Sequence, residues 1–547
     1  MVAHTVSNWR KEVVKVSVRL FSFGIPSFQS LASRTKVAAV QNITVQKILT
    51  SLIAFGFFIA SPWLISEAIV GNFIPLAFLA GGGVLILFFF VLRDRSWMII
   101  PFCLPIQGRF NFLPLNFNMQ EVATIAVFSY LILQIVMGRQ IFWRLGPAVV
   151  WIPLAGLLAI LFYHWVRSGD IGIRSLGGAG WGGRKYVLIF LTALTLPILH
   201  SSPNISWRDL QKIPFLYFCG VFVDLVPDTF TTLVPASAPY IFRFFSSVNI
   251  GEYGKAFAGN YGGSGGVTRF AAFGPLGSSI VLMLFSYIPF NTWLSYTRMW
   301  VYPVFIVSFV MSAFSGYRTN VFNFVLQSLG GVFCWIRFRV LFLIPVGAFF
   351  IFTVIIFNSV VIPLPLGIQR SLSFLPGDWD SQAKEEARIS SMWRDKMTSL
   401  FYREYFNKAP LFGYGYQYDK GYALDSTSSF FGLKTMSIAD EFSDVRNFIE
   451  MRQPHEGEIH ALLVSGIIGS LFFIIFCITS LIFSAKVFFP SQKNSACPVE
   501  IWSFCILLSS SVSFFVVYGD YSTTLPQLIP AFAFCSLAHL GRIKLSS

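Results

Sequence analysis

Apolar runs long enough to cross a membrane recur from about residue 47 to the C-terminus, separated by short polar segments. They place candidate spans at about 47–65, 72–92, 97–115, 121–138, 145–166, 186–200, 213–227, 273–292, 298–315, 318–336, 339–358, 459–484, 500–518 and 523–540. The expectation is an all-α, polytopic transmembrane helix bundle of about 14 spans, within a range of 12–14. The third run carries Pro101 and Pro105 and reads as a weak, re-entrant segment. This pattern divides the chain into a basic cytoplasmic tail (1–46), a first block of transmembrane helices (47–358), a large loop (359–457) and a last block of helices with a short tail (458–547). Inside the large loop, Ile389, Met392, Trp393, Met397, Leu400 and Phe401 recur at helical spacing, predicting an amphipathic helix over about 381–407. The sequence PLFGYGY then ends it, because Pro410, Gly413 and Gly415 break helices.

Charge orients this pattern. With the N-terminus inside, the loops RDR (93–95), GRQIFWR (138–144), SSPNISWRDLQK (201–212), NTWLSYTR (291–298), WIRFR (335–339) and AKVFFPSQKN (485–494), with the C-terminal tail, all fall on one face and all lean basic. That is the distribution of a multi-pass membrane protein with both termini cytoplasmic. The opposite, outer face receives 167–186, a glycine-rich connection near 228–272 without a phosphate-loop signature, and the large, partly helical loop. Residues 1–46 read either as a basic amphipathic segment on the membrane or as a tail, and they lack a cleavable leader pattern.

Composition excludes a soluble globular protein: 55% of the 547 residues are hydrophobic and only 12% charged. The net charge of +15 follows from the basic loops, and no nucleic-acid motif accompanies it. The seven cysteines are odd in number, lack a CxxC and mostly fall in apolar runs, so they read as small core residues.

Candidate chemistry collects where the large loop re-enters the membrane, in PHEGEIHALLVSGIIG (454–469). Three readings compete: a metal site, a proton-transfer site and a helix cap. His455 and His460 are five apart and would project about 140° from each other on a helix, so no metal is expected. Glu456 and Glu458 suit the positive end of a helix, and Gly466 and Gly469 suit close helix packing. Neither accounts for His455, whose imidazole titrates near neutrality and can take a proton from a hydroxyl. Arg318 in SGYRTNVF and Arg269 in TRFAAFGPLGSS stand at outer ends of spans, where a charge is either functional or a snorkelling anchor.

Together these segments resemble the membrane-embedded O-antigen ligases and O-antigen polymerases. His455, then Glu456, nine residues, Gly466, two residues and Gly469 match the spacing of that family's histidine motif, although Glu456 replaces its Asn, Ser or Gln. SGYR looks like its SGSR opening, and ARISSMWRD…NKAPLFGYGY is similar to its R…W…PLxGxG run. TRFAAFGPLGSS resembles the segment before a preceding span, with Leu276 and Gly277 where an Asn is expected.

The resemblance covers about 265–475 and implies a GT-C-like glycosyltransferase that uses neither metal nor cofactor. Its donor would be a glycan on undecaprenyl pyrophosphate at the periplasmic face, and its partners membrane lipids and other polysaccharide-assembly proteins. His455 would be the base or the residue that orients the acceptor hydroxyl, and Arg318, Arg388 and Arg269 would hold the pyrophosphate. Polymerisation of O-antigen or exopolysaccharide repeats is favoured over ligation to lipid A core or protein. A lipid-linked oligosaccharide flippase is the competing reading from another class; the absence of an internal repeat and the single dominant outer loop argue against it.

Overall fold

The computed structural model describes residues 92–110, 117–136, 143–168, 181–202, 205–237, 270–361, 363–416, 443–450, 456–491 and 497–546, with 138, 139, 141, 240, 241, 245, 246, 452 and 454 between them. The tail 1–46, the candidate spans at 47–65 and (except for its last residue) 72–92, the glycine-rich stretch, His455 and Arg269 lie outside the described residues. The chain divides into a unit of 80–132 with 141–547, which holds nearly every described element, and a unit of 1–79 with 133–140, of which only the end of one helix and the turn after it are described.

The larger unit is built almost entirely of helices. They are α1 (Ile99–Cys103), α2 (Met119–Val136), α3 (Ala148–Ser168), α4 (Trp181–Ser201), α5 (Ile213–Leu233), α6 (Phe273–Tyr287), α7 (Val301–Phe314), α8 (Arg318–Ile336) and α9 (Ile344–Ile356). After these come α10 (Leu366–Leu372), α11 (Ser381–Leu400), α12 (Ser443–Glu450), α13 (Gly457–Ser491), α14 (Pro498–Val516) and α15 (Tyr521–Ser546). A two-residue antiparallel pair, β1 (Arg109–Phe110) and β2 (Phe245–Ser246), is the one sheet among the described residues.

Among the described residues, seven helices are long and apolar enough to cross a membrane. Large side chains of the described residues divide as a lipid-embedded bundle requires: Phe162, Phe230, Phe349, Ile478 and Ile482 face outward, while Trp97, Phe285, Phe473, Trp502 and Phe532 are buried. Of these seven helices α14 is the most enclosed.

The third candidate span is not a continuous helix. A 3-10 turn (Arg93–Met98) leads into five-residue α1 and then into extended chain. Pro101 and Pro105 shorten the helix, and polar side chains take over its freed backbone groups, as irregular chain at membrane depth demands. The Leu104 carbonyl accepts from Gln120 and Gln527, and Asp224 of α5 accepts from the amides of Gln107 and Gly108 at 2.6 and 3.1 Å.

α10, α11 and α12 cover one end of the bundle, here the capped end. They rest on two small apolar clusters, one around Met397, Phe401, Ile449 and Leu463 and one around Val321, Leu372 and Trp379. The expected amphipathic helix therefore exists as α11, continued by a π turn (Phe401–Tyr405) and a 3-10 turn. Its buried face is rotated from the expected one. Ala383, Ala387, Met397 and Leu400 are buried, whereas Ile389 and Met392 are 53% and 41% exposed.

Candidate functional site

The capped end is organised by a break in α13. Gly466 has φ 64°, a left-handed conformation natural to glycine, and α13 is interrupted there. Interruption leaves carbonyls before the break and amides after it without helical partners. The PLFGYGY segment supplies them. Tyr414 and Gly415 donate to the carbonyls of Leu463 and Val464 at 2.7 and 3.0 Å, and the amides of Ile467 and Ile468 donate to Pro410 and Leu411 at 2.8 and 3.1 Å. A side chain at 466 would run into the Leu411 backbone, and one at 413 into the backbone around 465. The glycines at 413 and 466 thus serve one close approach between two distant segments. Gly469 sits one turn further, where a side chain would meet Ser465.

Arg318 opens α8 and is half-buried under α10, where its guanidinium donates to the Ser373 hydroxyl at 3.3 Å. Arg370 reaches back to the Gly316 carbonyl at 2.9 Å, so α10 is stitched to the turn that precedes Arg318. The charged neighbour of Arg318 is Arg394 of α11, also half-buried. Among the described residues no carboxylate pairs with Arg318 or Arg394. Two like charges partly out of water and without a counter-charge cost free energy, and a bound anion would relieve it.

The histidine motif approaches the same helix. Glu456, the residue after His455, accepts from the hydroxyl of Thr398 at 2.7 Å, one turn beyond Arg394 on α11. Glu458 accepts from Tyr402 at 3.3 Å. The two glutamates are therefore held by side chains of α11 and of the π turn that continues it, besides standing at the positive end of α13.

Behind them lies a buried polar cluster. His460 Nε2 lies 3.2 Å from the Tyr416 hydroxyl, 3.2 Å from the Tyr521 amide and 3.3 Å from Asp520 Oδ1. Asp520 caps α15 by accepting from the Ser522 amide and hydroxyl at 2.7 and 2.8 Å, and pairs with Lys185 of α4 at 2.8 Å. Burial alone would push the Asp520 carboxyl up; the Lys185 ammonium and the Ser522 hydrogen bonds outweigh it and hold the group well below the usual carboxylate range.

The sequence-predicted residues separate as follows. Arg318 lies near Arg394. Arg388 does not join them: it is exposed and tied to Glu385 of its own helix at 2.6 Å. Six residues apart, Arg388 and Arg394 project about 120° from each other, so the family-like R…W run offers two arginines of which the inward one is Arg394. Glu456, Gly466 and Gly469 stand where the motif spacing led one to look, with roles in contact and backbone geometry. Arg394 and Thr398 escaped notice, although they follow Ala383 and Ala387 along the small-residue face of α11.

The chain matches no protein-family model, and no curated protein matches it in sequence.

Proposed function

We propose that this chain is a GT-C-like glycosyltransferase acting on glycans carried by undecaprenyl pyrophosphate at the periplasmic face of the bacterial inner membrane, and that it polymerises O-antigen or exopolysaccharide repeat units. The observation that carries the reading is the half-buried pair Arg318 and Arg394, without a carboxylate partner among the described residues, beside the helix that also holds Glu456. Guanidinium groups suit a diphosphate because they present several donors in a plane and keep their charge.

In this reading the acceptor hydroxyl oxygen attacks the anomeric carbon of the donor glycan. The bond from that carbon to the pyrophosphate oxygen breaks, and its electron pair leaves on the phosphate. The proton of the hydroxyl passes to a base, the role proposed for His455. A diphosphate is already a good leaving group, so the arginines need only stabilise its growing charge in a site of low dielectric. Glu456 in place of the amide or hydroxyl residue gives an acceptor oxygen where the resembled family has a neutral side chain, and here it bonds to Thr398.

The test is purified protein incubated with lipid-linked repeats and the products resolved on a ladder gel. Long chains are expected. Single transfer to lipid A core or to protein would replace polymerisation by ligation. No transfer by the wild type, or unchanged transfer by His455→Ala, would contradict the catalytic reading.

A further inference from the structure

The transfer chemistry above makes no use of the cluster around His460, yet its hydrogen bonds define a protonation state. A backbone N–H can only donate, so the Tyr521 amide at 3.2 Å requires Nε2 of His460 to accept. In the neutral ring the proton then sits on Nδ1, which is buried and makes no hydrogen bond to the described residues. The Tyr416 hydroxyl donates to Asp520 at 3.1 Å, and the Asp520–Lys185 pair balances its own charge. Nothing about capping α15 requires a histidine here; Ser522 and Lys185 already satisfy Asp520.

The placement of His460 gives the arrangement a use. The first segment of α13, residues 457–465, ends at the Gly466 break and cannot take its direction from the rest of the helix. Cross-bonds orient it instead: the PLFGYGY segment at its far end, Thr398 to Glu456 at its near end, and His460 in between. We infer that His460, held as the Nδ1–H tautomer by the Tyr521 amide, is a positioning residue that sets this segment, and so the Glu456 turn leading into it, against α11, which carries Arg394. The inference rests on the transfer reading.

Two arms test it on the full-length protein in lipid nanodiscs. Nitrogen-15 NMR of labelled histidine, with the His460 signal assigned by its loss in His460→Gln, is expected to show a protonated Nδ1 and a bare Nε2 at neutral pH. A protonated Nε2 overturns the assignment. In the transfer assay, His460→Leu is expected to lower kcat about 30-fold with KM for the lipid-linked donor within about threefold, the pattern of lost alignment rather than lost binding. His460→Gln, whose side-chain oxygen can accept from the Tyr521 amide, is expected to recover to within about tenfold of wild type. Equal losses in both variants, or losses that only track the folded fraction measured by thermal melting, overturn the positioning role. Failure of the wild type to transfer at all overturns the underlying reading, and the NMR arm still decides the tautomer.

Discussion

Two places in the bundle treat cations in opposite ways. At the far end, buried Asp209 gathers Arg95 at 3.2 Å and Lys212 at 2.9 Å, so positive charge has a fixed negative partner. At the capped end, Arg318 and Arg394 lie near each other without one among the described residues. Lys185 and Asp520, at the same end, make the contrast local: where the fold itself needs a cation, it supplies the carboxylate. A compensated ion pair serves the fold, whereas an uncompensated, half-buried pair of like charges is the expected form of an anion site.

This comparison can be broken most sharply by removing the uncompensated charges. Arg318→Ala and Arg394→Ala should each lower transfer about 100-fold or more in a steady-state assay with lipid-linked donor, while leaving the melting temperature near wild type. Improved stability without loss of transfer would show that the pair merely repels. Next in size is Gly466→Ala. A side chain in a left-handed conformation, pressed against the Leu411 backbone, should cost roughly 2–4 kcal/mol, read by denaturant unfolding in detergent.

The compensated ions should behave as structure. Asp520→Asn strands Lys185 and should cost about 2 kcal/mol at pH 7. Because the folded carboxyl lies below its unfolded value, this stability is present above about pH 4 and fades as the pH falls towards the folded value. The gap between wild type and Asp520→Asn should therefore be constant from pH 6 to neutrality and narrow in acid. Asp209→Asn should cost less, about 1 kcal/mol, since both of its cations are more than half exposed, and should leave transfer unchanged.

The helices were legible in the sequence because their signals are local. Hydropathy located α2, α3, α7, α8 and α14 to within about three residues at each end and α4, α5, α6, α9, α13 and α15 to within about seven, and helical spacing located α11. What was not legible depended on distant partners. Of the apolar residues whose spacing marked this helix, Met397, Leu400 and Phe401 are buried as expected while Ile389 and Met392 are exposed; the packed face runs on through Ala383 and Ala387, small enough for close approach, and this turns Arg394 inward in place of Arg388. The glycines of PLFGYGY read as helix breakers. Their service to the break at Gly466 appears only when hydrogen bonds join 410–415 to 463–468. His460 was read only for metal-ligand geometry with His455, because its partners Tyr521 and Asp520 lie some sixty residues on and Lys185 belongs to α4, earlier in the chain.

The central claim is that the inward arginines of the capped end hold a diphosphate head group. Its most direct test is equilibrium binding of undecaprenyl pyrophosphate to the wild type, Arg394→Ala and Arg388→Ala in nanodiscs. The account predicts that Arg394→Ala weakens binding about 30-fold, near 2 kcal/mol, while Arg388→Ala stays within about threefold of wild type. Equal affinity for all three, or a loss confined to Arg388→Ala, would contradict it.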